Sequence, residues 1–268
     1  MPIREPLNPT FTSVLPVTLH RSEPLEEARK RLIVALDVPD TASAAALADR
    51  LQDICRWFKV GMELFTAAGP AVLEPLLKRG HSIFLDLKFH DIPNTVARAV
   101  RSSAALGVHM VNVHAAGGPA MLMAARAALD GLSDPPELLA VTMLTSMDQA
   151  QTTAIGVSRT PAEQVELLAR MALESRIRGF VCSPQEVATL RALTGPEDIL
   201  VTPGIRPAGA AKGDQNRIAT PAAALLQGAS YLVVGRPITQ APDPEKAAEA
   251  ILKEMAEALL SSDSTPND

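Results

Sequence analysis

The stretch Ile83-Phe84-Leu85-Asp86-Leu87-Lys88-Phe89-His90-Asp91-Ile92-Pro93-Asn94-Thr95 runs an apolar segment straight into two carboxylates that bracket a lysine. A segment of that kind reads as a buried strand, so the charges fall where the strand emerges and meets the next helix. In α/β folds that is the working end of the sheet. Three uncompensated charges there would cost several kcal/mol, which makes packing a poor reason for the pattern. A structural ion-pair network is the competing explanation.

Outward from this stretch the same strand-then-helix unit repeats. Eight short apolar or β-branched runs stand at 32–36, 57–60, 83–87, 109–113, 138–143, 179–182, 199–202 and 231–234. Segments of helical period separate them, at about 41–53, 63–79, 93–106, 118–130, 161–176, 184–193, 220–227 and 243–260. Gly80, Gly107, Gly131 and Gly228 stand where helix C-caps belong, and Pro70 and Pro75 predict a break in the second helical segment. Strict alternation suits a closed barrel or an open doubly wound sheet. Eight units with short loops favour closure, and no Gly-x-Gly-x-x-Gly follows the first run to suggest a dinucleotide fold. The expectation is an α/β fold, a single-domain (β/α)8 TIM barrel over 31–260. A Pro-rich extension at 1–30 would precede it, and 261–268 has the composition of a flexible tail.

The 268 residues include 25 basic and 30 acidic ones, a net charge of -5 that argues against general nucleic-acid binding. An anion pocket would have to be built from a few placed cations. Cys55 and Cys182 are the only cysteines, too few for a disulfide framework, and a reducing cytoplasm is the natural home. Prolines and charges interrupt the first thirty residues, and no run reaches the roughly eighteen apolar residues of a membrane span. No His/Asp/Glu spacing calls for a metal.

Barrel enzymes work at the C-terminal ends of their strands. In order, those ends present Asp37, Lys59, Asp86 with Lys88, His114, Thr145 with Ser146, Ser183, the loop from Pro203 to Arg206, and Gly235 with Arg236. Alternating lysines and aspartates hold one another ionised, each close pair being worth about 4 kcal/mol at an effective dielectric near 20. Lys88 among carboxylates would stay protonated and suit a general acid, whereas an imine-forming lysine needs a depressed pKa. Arg206, Gln215, Gly235 and Arg236 follow the last two strands, where this architecture often binds phosphate. The stretch 206–219 is long for a barrel loop and suits a lid; a solvated surface loop is its plainer reading. His109 and His114 read as hydrogen-bonded structural histidines, and Cys182 as a small buried hydrophobe.

Asp37 in ALDVP, Lys59 in FKVG, DLKFHDIPNT at 86–95, LTS at 144–146, PGIR at 203–206, GDQ at 213–215 and VGR at 234–236 together resemble the bacterial orotidine 5'-phosphate decarboxylase family. The resemblance runs in order over about 31–250. It implies a homodimeric barrel that turns orotidine 5'-monophosphate into UMP and CO2 in pyrimidine biosynthesis, with no metal or organic cofactor. On that resemblance Lys88 donates the proton to C6 of the pyrimidine, held by Asp86 and by Asp91 of the other subunit. Lys59 and Asp37 grip the ribose hydroxyls, helped by Thr95, which is also lent across the dimer. Thr145 meets the pyrimidine edge, and Arg206, Gln215, Gly235 and Arg236 hold the phosphate. A Mg2+-dependent sugar-phosphate barrel and a non-catalytic nucleotide-binding barrel are the alternatives.

Overall fold

The computed structural model of the protein describes residues 23–208 and 217–263. Its eight strands are β1 Leu32–Ala35, β2 Trp57–Gly61, β3 Ser82–Phe89, β4 Met110–His114, β5 Glu137–Val141, β6 Gly179–Val181, β7 Ile199–Thr202 and β8 Tyr231–Val234. All pair in parallel with their sequence neighbours, and β8 returns to β1 through Leu32 opposite Leu232 to close the barrel. The molecule is a single-domain (β/α)8 TIM barrel. Helices α1 Glu23–Arg31, α2 Thr41–Leu51, α3 Met62–Ala68, α4 Leu73–Lys78, α5 Pro93–Ala105 and α6 Pro119–Ala127 serve the first half. The second half has α7 Gln149–Ala154, α8 Pro161–Glu174, α9 Val187–Thr194, α10 Pro221–Leu226, α11 Arg236–Thr239 and α12 Pro244–Asp263. Among the described residues no helix is long and apolar enough to cross a membrane.

Local chemistry explains the helix starts. Thr160 and Glu163 form a reciprocal capping box ahead of α8, with Pro161 in the first turn. Val165, Leu168, Ala169 and Ala172 of α8 then recur at helical spacing and face inward. Pro93 opens α5 directly after the charged stretch, where its missing N–H costs nothing.

Two apolar layers follow from the alternation of side chains along each strand. Outward-facing residues such as Val34, Phe58, Leu85 and Val111 pack against the helices. Inward-facing Ile33, Phe84, Met110, Leu139, Val201 and Val233 fill the barrel interior. The N-terminal end of the interior carries aromatic edge contacts from Trp57 to His109 and Tyr231, at 5.8 and 5.4 Å between ring centres. His109 also accepts the Ile83 N–H through Nδ1 at 3.1 Å, the structural role expected of it.

Several boundaries differ from the sequence reading. The predicted 63–79 helix is interrupted by a 3₁₀ turn at Gly69–Val72, but Pro75 sits in the first turn of α4, where proline is tolerated. Strand β3 runs on to Phe89, so Asp86 and Lys88 lie within it rather than after it, and His114 ends β4 rather than following it. The segment 23–31 within the expected extension is a helix packed on α12, and α12 itself reaches Asp263. Residues 1–22 and 264–268 lie outside the described residues.

Candidate active site

The C-terminal mouth of the barrel opens into a cavity of about 570 Å³. Asp37, Lys59, Asp86, Lys88, Thr145, Arg206, Gly235 and Arg236 all line it, as do Glu63, Ser146, Cys182 and Gln240. Asp91 and Thr95 are exposed outside that lining, and Gln215 lies outside the described residues. The candidates from six different strand ends therefore converge, while the two assigned to a partner subunit stay apart from the cavity of this chain.

Asp86 is the centre of the charged end. It is 8% exposed, and its two oxygens have separate partners. Oδ1 faces Lys88 Nζ at 2.5 Å and accepts from Asn112 Nδ2 at 2.7 Å. Oδ2 lies 3.4 Å from Lys59 Nζ, which also donates to Asp37 Oδ1 at 3.0 Å. Burial by itself would raise the Asp86 carboxyl, but the ammonium groups of Lys59 and Lys88, with the Lys88 and Asn112 hydrogen bonds, outweigh it and hold the group below its usual range. Burial would likewise lower Lys59, and the Asp86 and Asp37 carboxylates reverse that, so its ammonium is held above the ordinary lysine value. Asp86 and Lys59 are therefore ionised at neutral pH.

The backbone bends to build this cluster. Lys88 has φ +50°, a left-handed conformation that costs a residue with a side chain of order 1–3 kcal/mol. The register between β3 and β4 shifts there. Glycine at 61 leaves the Lys59 ammonium room beside it. A Cβ on Gly61 would stand 2.9 Å from Lys59 Nζ, inside its contact distance with the ion pair.

Across the cavity, buried Arg206 follows β7 and Arg236 opens α11. Gly235 precedes Arg236, and a Cβ there would lie 3.4 Å from Asp37 Oδ2. The chain leaving Arg206 is pinned at its base, because Arg206 N–H donates to Ala219 and Ala219 N–H to Gly204. Arg217 is paired with Glu186 in the interior and donates to Leu144 O at 2.8 Å, which ties the loops after β5, β6 and β7 together. Burial keeps the Glu186 carboxyl above its usual range despite Arg217.

Sequence reasoning missed Asn112, Glu63, Gln240 and the Glu186–Arg217 pair. Asn112 had a signal, a lone amide inside the apolar run 110–113; the others look like ordinary helix or loop polar residues. His114 is half-buried beside His90, at 5.4 Å between rings, and burial, then His90 and Lys88, lower its pKa. Cys182 is buried at the cavity wall, its thiol pushed up to about 12 by burial, as an unreactive small hydrophobe. Among the described residues no group of three or more His, Cys, Asp or Glu side chains is placed to hold a metal ion.

A closed eight-stranded barrel with this cluster at its C-terminal mouth has the makeup of a (β/α)8-barrel enzyme. The family model described as "Orotidine 5'-phosphate decarboxylase / HUMPS family" matches residues 30–251, and the chain belongs to that family. It is 52% identical over 248 residues to an orotidine 5'-phosphate decarboxylase of Moorella thermoacetica, covering 90% of this chain and 98% of the relative. It is 55% identical over 229 residues to the enzyme of that name from Halorhodospira halophila, covering 85% and 97%. The crystal structure of orotidine 5'-phosphate decarboxylase from Lactobacillus acidophilus superposes with a TM-score of 0.73 at 43% identity, over 84% of this chain and 98% of that one.

Proposed function

We propose that this protein decarboxylates orotidine 5'-monophosphate to UMP and CO2 in pyrimidine biosynthesis, with Lys88 as the proton donor to C6. The observation that carries the reading is the Asp86 carboxylate held ionised between Lys88 and Lys59 inside the cavity. Loss of CO2 from a ring carbon leaves an electron pair in an orbital that the ring delocalises poorly, so the barrier is high without an electron sink. A fixed ammonium beside C6 stabilises that charge and then delivers its proton. A carboxylate near the departing CO2 destabilises the ground state more than the transition state. The reaction calls for the upper part of the roughly 8–23 kcal/mol that enzymes supply.

In this reading Lys59 and Asp37 take the ribose hydroxyls and Thr145 the pyrimidine edge. Arg206, Gly235 and Arg236, joined by Gln215, take the phosphate, whose binding energy helps order the reacting end. The active form is a homodimer in which Asp91 and Thr95 complete the partner's site; both are exposed, and Asp91 Oδ1 accepts the Ile92 N–H at 2.6 Å. The setting is cytoplasmic, and neither metal nor organic cofactor takes part.

The test is loss of orotidine 5'-monophosphate absorbance with purified protein, run with and without excess chelator. Turnover that survives the chelator is expected. Inactivity in folded protein, or activity restored only by Mg2+, would transfer the assignment to the sugar-phosphate side of the family.

A further inference from the structure

Asn112 is fully buried and sits on β4 facing the register shift between β3 and β4. Leu85 pairs with Val111 and Phe89 with Val113, so four residues of advance along β3 are met by two along β4. The surplus falls on Asp86, Leu87 and Lys88, opposite Asn112. Its amide spans the bulge. Oδ1 accepts the Lys88 N–H at 2.8 Å, and Nδ2 donates to Asp86 Oδ1 at 2.7 Å. A backbone N–H can only donate and an ionised carboxylate can only accept, so the amide orientation is fixed by its two partners. The oxygen of Asp86 that Asn112 holds is the same one that meets Lys88 Nζ.

We propose that Asn112 is a positioning residue for the reaction, holding Lys88 in its left-handed backbone conformation and Asp86 in the orientation that aims the Lys88 ammonium into the cavity. This rests on the decarboxylase reading of the same site. An amide serves both partners at neutral pH. An ionised aspartate at 112 would accept from the Lys88 N–H but could not donate to Asp86, and would set a second negative charge against it. Once protonated, it could donate again. The charged and titratable groups around the position are Asp86 and Lys88 on β3, Lys59 on β2 beyond Asp86, and His114 and His90 at the mouth. On the other side β5 presents Leu139.

The experiment compares wild type, Asn112→Asp and Asn112→Ser for kcat and KM with orotidine 5'-monophosphate between pH 5.5 and 8, with inorganic phosphate as a competitive inhibitor reporting the anion end. Misplacement of a reacting group by about 1 Å costs on the order of 100-fold, which is the kcat loss expected for both variants at pH 8. Asn112→Asp should regain about fivefold or more toward pH 5.5, since the neighbouring carboxylate raises the pKa of the new one. Asn112→Ser, whose hydroxyl cannot span both partners, should show no such recovery, and phosphate inhibition should match wild type in both. Near-normal kcat in either variant would overturn the proposal. So would a pH-independent loss in Asn112→Asp that phosphate affinity shares, which would mark a merely structural residue. An inactive wild type would instead overturn the decarboxylase reading itself.

Discussion

The two halves of the barrel interior use the same strands for opposite purposes. On β3, Phe84 belongs to the apolar layer with Ile33, Met110 and Leu139, while Asp86 and Lys88, further along the same inward face, belong to the mouth. In the lower half, contacts are non-directional, and what matters is filled volume. In the upper half every charged atom of Asp86 has an assigned partner, and the backbone is strained at Lys88 to provide one of them. Stability and chemistry are thus separated along the strands, so substitutions in the two halves should fail in different ways.

The lower half breaks through volume. Ile33→Ala, in the fully buried apolar layer, should cost about 2–5 kcal/mol and lower Tm by roughly 5–15 °C, with kcat at 25 °C nearly unchanged. Thermal melts beside steady-state kinetics check this; a large loss of kcat without a loss of Tm would erase the distinction. At the mouth, Arg236→Ala should raise KM by about 10–100-fold, the worth of one charged hydrogen bond to phosphate, with little change in Tm. Unchanged kinetics would remove Arg236 from the site.

The smallest effect is a predicted insensitivity to pH. Asp86 has a folded pKa below its unfolded value near 3.9, so its stabilising contribution is present above that value and fades as pH falls through the folded one. Lys59 is raised above its unfolded value near 10.4, so its contribution is complete below that and fades as pH climbs through the folded one. Neither titrates between about pH 5 and 9, and kcat at saturating substrate should be flat there. An inflection near neutrality that Lys59→Arg displaces would contradict the ionised cluster.

Much of this organisation was legible in the chain because periodicity reports burial. The eight apolar runs mark strands buried on both faces, and the charges that end them mark the mouth. What escaped was whatever depends on particular polar partners, near or far along the chain. Strand β3 looked finished at Leu87 because charges usually end a buried run, yet Asn112 accepts the Lys88 N–H and the strand continues. Helix α7 was missed because QAQTTA has no apolar stripe; it is started by the Asp148–Gln151 capping box. Arg217 read as part of the 206–219 lid until Glu186 and Leu144 supplied its partners. Asp91, which the family resemblance assigns to the partner's Lys88 cluster, accepts the Ile92 N–H within its own chain.

The measurement that bears most directly on the account is a single-turnover assay of Lys88→Ala, held in excess over orotidine 5'-monophosphate and followed by UMP formation. With proton donation and charge stabilisation both removed, the rate should fall by at least about 10⁴-fold while phosphate inhibition and Tm stay close to wild type. UMP formed at near wild-type rate would show that the charged mouth is not where the reaction is driven.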